Sequence, residues 1–254
     1  MIHQCFFDGS QYDQLWNFEP YRPFGLEPDV NDRITENCPE LAAAETRMAL
    51  AEYGAMLNHW RNPALDSDTW IGFTSYRQLT KSPTIFRSKS EVESLLQRGD
   101  YVCWHMWHMA NVRIGWITGA AAQAEIAHPG IHQFTKDMLA HFRTALPADY
   151  MTATEIPLAN YWAMRRERFE DFMAWSWPIV AHSLTSNHRY LTTASSVNAM
   201  DNKHRAVGYF MERLFVIWTL IRKLQPVVVG PRYDLGGKPI EAVLNLLPVS
   251  HFST

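Results

Sequence analysis

The chain has 254 residues, 47% of them hydrophobic and 19% charged, which suits one large globular domain, or two small ones, with a real core. A net charge of -3 gives no ground for nucleic acid or an anionic membrane as the main partner. The three cysteines are odd in number and form no C-x-x-C pair, and there is neither an 18-residue apolar run nor a signal-peptide pattern at the N-terminus. Those features predict a cytoplasmic protein without a transmembrane segment, for which peripheral membrane contact stays open.

In chain order, residues 2–7 read as a strand that stops at Asp8-Gly9-Ser10. Residues 19–39 carry four prolines and scattered charge and read as a long loop or lid. Residues 40–61 are Ala-rich and read as one helix closed by Asn62-Pro63. A strand is predicted at 70–76. A short helix follows at 90–97, with Ser90 as N-cap and Glu93 closing a capping box. A strand at 101–104 leads into WHMWHM. Residues 120–143 read as helix, broken at His128-Pro129-Gly130. A strand at 161–164 precedes a helix at 167–183, expected to kink at Pro178. Val207, Phe210, Met211, Leu214, Phe215, Trp218 and Ile221 recur at helical spacing within a long amphipathic helix, 204–224. A last strand is expected at 227–229. Strands alternating with helices argue an α/β sheet protein, and no internal repeat interrupts that pattern.

Asp66-Ser67-Asp68 is a D-x-D, a pattern that holds divalent metal in many nucleotide-sugar enzymes. It lies at the amino end of the 70–76 strand, whereas open α/β sheets bind ligands beyond the carboxyl ends. It therefore reads as a polar turn, and no metal ligand is assigned. Tyr76 and Arg77 leave from the carboxyl end, where a planar, permanently charged guanidinium can grip a diphosphate.

Several segments then match one pattern. AEYGAMLNHWRN at 51–62 resembles a family helix C-E-L-T-A-x-Y-W-x-W-K-N, keeping Glu52, Ala55, Trp60 and Asn62. WIGFTSYRQ resembles a family strand Y-I-G-L-x-H-Y-R-R-Y and keeps Ile71, Gly72, Tyr76 and Arg77. NYWAMRRERF at 160–169 keeps Asn160, Met164, two basic residues and Phe169 of N-M-F-I-M-K-K-E-x-F. RAVGYFMERL at 205–214 keeps Arg205, Gly208, Glu212, Arg213 and Leu214 of R-x-x-G-F-L-x-E-R-L. In order and spacing the chain resembles a family of bacterial glycosyltransferases of the capsular-polysaccharide-synthesis type, long described only as a domain of unknown function. Ser75 and Gln78 stand where that family has His and Arg, and Ala51 where it has Cys.

The resemblance implies a GT-A-like fold, a Rossmann-type mixed sheet flanked by helices, in a single domain over 1–254. It also implies a nucleotide-sugar donor as co-substrate and a glycan acceptor, with a divalent metal neither required nor excluded. Arg77 and Arg205 would then neutralise the diphosphate leaving group. Glu52 shares a helix face with Met48, Ala49 and Met56, so its carboxylate needs a partner or a site role. The general base on the acceptor hydroxyl lies among Glu52, His105, His108 and His128. Glu212 either assists the acceptor or forms a structural ion pair with Arg205, one heptad earlier. Asp8 stands where Rossmann-like sheets meet a base or ribose, or caps a turn. Asn160 suits a sugar hydroxyl or a turn. Two rival readings remain: a nucleotide- or glycan-binding protein that has lost catalysis, motivated by Ser75 and Gln78, and a metal-dependent hydrolase, which no H-x-H or H-E-x-x-H supports.

Overall fold

The computed structural model describes residues 1–36, 38–63, 68–77, 87–109, 112–157, 160–193, 203–230, 232–233 and 239–241. Its centre is a six-stranded mixed sheet. The strands are β1 (Ile2–Phe6), β2 (Tyr21–Gly25), β3 (Trp70–Ser75), β4 (Tyr101–Cys103), β9 (Trp162–Arg165) and β10 (Pro226–Val228). They lie in the order β10-β4-β9-β3-β1-β2. β1 is parallel to both β2 and β3, and β10 to β4. β9 runs antiparallel to β3 and β4 between them. There are also a four-stranded sheet of β5 (Met106–His108), β8 (Glu155–Pro157), β11 (Arg232–Tyr233) and β12 (Pro239–Glu241), and a small hairpin, β6 (Arg113–Ile114) with β7 (Ile117–Thr118).

The helices are α1 (Ala44–Leu50), α2 (Glu52–Arg61), α3 (Lys89–Leu95), α4 (Gly119–Ala127), α5 (Ile131–His141), α6 (Asp149–Thr152), α7 (Arg166–Thr185), α8 (Arg189–Thr193) and α9 (Lys203–Ile221). Alternation along the strands sorts side chains to two faces. Ile71, Phe73, Tyr101, Cys103, Trp162 and Met164 enter the larger core with α2, α7 and α9. Trp70, Val102 and Ala163 point the other way, toward Val92 and Leu95 of α3 and Leu96 just after it. The α9 periodicity is thus a packing stripe: Phe210, Leu214, Phe215 and Trp218 are all fully buried, and Phe215 stacks on Trp162 at 4.9 Å. Each such side chain contributes about 1.5–3 kcal/mol through burial. Gly72 lets β3 and β9 meet, since a Cβ there would lie 2.8 Å from the Ala163 Cβ.

Four expectations change. The 40–61 helix is two helices that meet at Ala51, with φ 47 and ψ -130. The break has a packing cause: α1 lies against α9, whereas α2 lies against α7, β1 and β3. The 19–39 segment is not all loop, because β2 lies within it at the sheet edge. Pro23 is tolerated there because an edge strand can spare a ladder donor. The α3 capping box is made by Ser88 and Glu91, two residues before the expected pair. Glu93 instead accepts a bond from Trp70 Nε1 at 3.2 Å. Finally, the expected 101–104 strand ends at Cys103, and Met106–His108 within WHMWHM form β5 in the second sheet.

Candidate functional site

The carboxyl ends of β1 and β3 and the amino end of antiparallel β9 meet at one edge of the large sheet, with Cys5 opposite Ser75 and Phe73 opposite Trp162. A cavity of about 510 Å³ opens there. Phe7 and Gln11 follow β1, Ser75, Tyr76 and Arg77 end β3 and continue beyond it, and Asn160 and Tyr161 lead into β9. The far wall is helical: Ala51 and Glu52 at the start of α2, and Gly208, Tyr209, Met211 and Glu212 on α9. Gly208 lies where α9 packs on α1, and a Cβ there would just touch the Ala49 carbonyl at 3.4 Å. Tyr209 and Glu212, three residues apart, share one helical face.

The floor is polar and buried. Ser75 Oγ and the Tyr161 hydroxyl are 2.6 Å apart, and the Arg77 backbone N–H donates to Ser75 Oγ at 3.3 Å. Burial pushes the Tyr161 phenol far up, and the carboxylates of Glu52 and Glu212 push the same way. Its bond to Ser75 and the charge of Arg77 oppose that shift. Tyr161 thus senses all three charged residues of the cavity that the sequence singled out. The Arg77 side chain is exposed, donates from Nε to the Tyr76 hydroxyl at 3.1 Å and lies over that ring at 5.5 Å. That bond is the main reason its guanidinium pKa is raised, and Glu52 adds to it. The α2 N-terminus, where Ala51 and Glu52 line the cavity, has no side-chain cap.

Of the residues singled out from sequence, Glu52, Tyr76, Arg77, Asn160 and Glu212 come together in this lining. Asn160 has φ 50, a left-handed conformation that asparagine tolerates. Asp8 lies outside the lining: it caps the 3-10 turn Gly9–Gln14, accepting from Ser10 N and Oγ. It also accepts from Gln11 Nε2 at 3.2 Å, and so braces a residue that does line the cavity. His105 is buried behind the floor, its ring edge-on to Tyr161 at 6.0 Å. His128 is buried behind Tyr209, stacked on it at 3.6 Å and 14°. His108 lies on β5 with Nδ1 4.0 Å from Glu155. The Arg205 side chain, Asp66 and Gln78 lie outside the described residues. Asp68 bonds Lys89 Nζ at 3.1 Å and the terminal amine at 2.8 Å, at the opposite end of β3. Among the described residues no three His, Cys, Asp or Glu side chains gather as a metal site, and no helix is long and apolar enough to cross a membrane.

Sequence reasoning missed Tyr161 and Tyr209 as lining residues. Each follows a residue that it had singled out, Asn160 or Gly208, and Tyr209 sits three residues before Glu212.

The profile of a family described as a domain of unknown function, DUF4422, matches residues 44–223, which includes Glu52, Arg77, Asn160 and Glu212. The chain belongs to the DUF4422 family. No curated protein matches it. Among solved structures, the apo form of WbbM, a bifunctional glycosyltransferase, superposes with a TM-score of 0.47 at 17% identity. That match covers 89% of this chain but 43% of WbbM, so this DUF4422 protein spans less than half its length.

Proposed function

We propose that this DUF4422 protein is a glycosyltransferase that moves a sugar from a nucleotide-sugar donor to a glycan or polysaccharide acceptor. The observation that carries the reading is the convergence of Arg77, Glu52, Asn160 and Glu212, from four separate segments, on one cavity beyond the carboxyl ends of β1 and β3. Those residues lie in the four motifs by which the sequence resembles glycosyltransferases of the capsular-polysaccharide type.

In this reading Arg77 and the first amides of α2 face the diphosphate, which gains charge as the sugar–phosphate bond breaks. Glu52 lines the cavity beside Arg77 and adds to the upward shift of its guanidinium pKa. Glu52 is therefore the carboxylate on the donor side, gripping a sugar hydroxyl or holding Arg77. Glu212 takes the proton from the acceptor hydroxyl as that oxygen bonds the anomeric carbon. Asn160 bonds a sugar hydroxyl. His105 and His128 act from behind the walls, through Tyr161 and Tyr209.

The test is release of nucleoside diphosphate from a panel of nucleotide sugars, with and without added glycans. Glu212→Gln should slow release by about 10²–10⁴-fold while donor binding persists. Equal rates in the wild type and the variant would contradict the assignment of the base. A second reading has its own observation: Ser75, standing where the family has His, is engaged by Tyr161 at 2.6 Å. Tight nucleotide-sugar binding with no turnover of any donor would favour a binding protein over a transferase.

A further inference from the structure

Tyr209 is half-buried on α9 and lines the cavity, yet one face of its ring is already covered. His128, buried at the end of α4, stacks on it at 3.6 Å with 14° between the planes. An aromatic ring has two faces. With one face taken by His128, a ligand in the cavity can meet Tyr209 only at the opposite face or at the ring edge. Glu212 emerges from the same side of α9 one helical turn later, and Glu52 and Asn160 line the same space. A flat apolar plate rimmed by hydrogen-bonding groups matches one ligand chemistry well. A pyranose ring carries axial C–H bonds that pack on an aromatic face, and equatorial hydroxyls that reach carboxylates and amides at its rim.

We infer that Tyr209 is the stacking platform for a pyranose ring in this cavity and that His128 is its backing plate, a positioning residue. The inference rests on the transferase reading for the role of that sugar, donor or acceptor, but not for its binding. Stacking fixes the tilt of the sugar plane, and Glu212 then meets a hydroxyl at the ring edge. His128 touches no ligand. It holds the Tyr209 ring at one angle, so that less rotamer freedom is lost when the sugar binds.

The experiment is saturation-transfer NMR with methyl glucoside, methyl galactoside and N-acetylglucosamine at millimolar concentration, with uridine and guanosine as a separate arm. Transfer to the pyranose ring protons is expected in the wild type and in Tyr209→Phe. Affinity should fall about three- to tenfold in Tyr209→Ser, with nucleoside binding unchanged. His128→Ala should weaken pyranoside binding in the same direction, and His128→Phe, which keeps a flat ring, should restore it. Circular dichroism identifies any variant that fails to fold, and Tyr209→Phe and His128→Phe keep the test available in that case. Pyranoside binding that is absent in the wild type, or indifferent to Tyr209→Ser, overturns the inference. Loss of nucleoside rather than pyranoside binding also overturns it, by making Tyr209 a base platform. Nucleotide-sugar binding in the wild type separates the two claims. Pyranosides that bind through Tyr209 without any nucleotide sugar binding would leave the platform standing and remove the transferase.

Discussion

Replacing Ala51 with glycine should stabilise the protein and weaken its grip on an anionic ligand. Ala51 sits between α1 and α2 at φ 47, ψ -130, a region in which an L side chain crowds its own backbone. Holding a non-glycine residue in such a region costs roughly 1–3 kcal/mol. Glycine adopts it freely but gives back about 0.4–1 kcal/mol, because the unfolded chain gains freedom. The net expectation is a gain of about 1 kcal/mol, or a rise of roughly 2–4 °C in melting temperature for a chain of this size. Urea titration should show a higher midpoint with an unchanged slope, since the exposed surface on unfolding is the same. The same residue lines the cavity at the uncapped start of α2, and glycine would loosen the turn there. Nucleotide affinity should therefore fall while stability rises. A variant that is destabilised would refute the claim of strain at Ala51. A stabilised variant with unchanged affinity would refute the claim that the turn serves the site.

Tyr161→Phe removes a hydroxyl 2.6 Å from Ser75 Oγ and should cost about 1–2 kcal/mol. The costs of Ser75→Ala and Tyr161→Phe should be less than additive in the double variant, and full additivity in urea would argue against the bond. Arg213 is 1% exposed, and neither its Nε nor its Nη1 has a hydrogen-bond partner among the described residues. Arg213→Met should be neutral or stabilising by about 1–4 kcal/mol, and a loss of stability would reveal a partner for the charge. Burial, reinforced by Glu40, raises the Cys38 thiol from 9.0 to about 11, and burial raises Cys103 to about 12. Between pH 9 and 11 the unfolded chain sheds thiol protons that the folded chain keeps, so stability should fall with rising pH in that window. Denaturation midpoints taken across it would check the sign, and substituting Cys38 should flatten the slope.

The parts of the fold set by local periodicity were readable in the sequence, and those set by distant packing were not. The apolar stripe of α9 buries because Phe210, Leu214 and Trp218 repeat at helical spacing, and nothing non-local is needed to see it. The position of Arg77 followed from chain direction alone, because a residue after β3 must leave from that strand's carboxyl end. The break at Ala51 was invisible: alanine is a strong helix former, and only the different partners of α1 and α2 impose the turn. β2 was hidden by Pro23, which is tolerated because β2 is an edge strand among the described residues. The places of the histidines were hidden for a related reason. A strand ending near the site does not say which way the next side chain turns, and His105 turned into the core. Tyr161 and Tyr209 gave no signal of their own. They became site residues because Asn160 and Gly208 bring their backbones to the cavity edge.

The most direct measurement is a thermal-shift panel of UDP, GDP, CDP and TDP sugars, each with and without manganese, on the wild type and Arg77→Ala. A donor at a hundred times its dissociation constant should add about 2.7 kcal/mol of stability. The account predicts a shift with one nucleotide class that is lost in Arg77→Ala. No shift with any nucleotide sugar, or an equal shift in both proteins, would contradict a donor site at the end of β3.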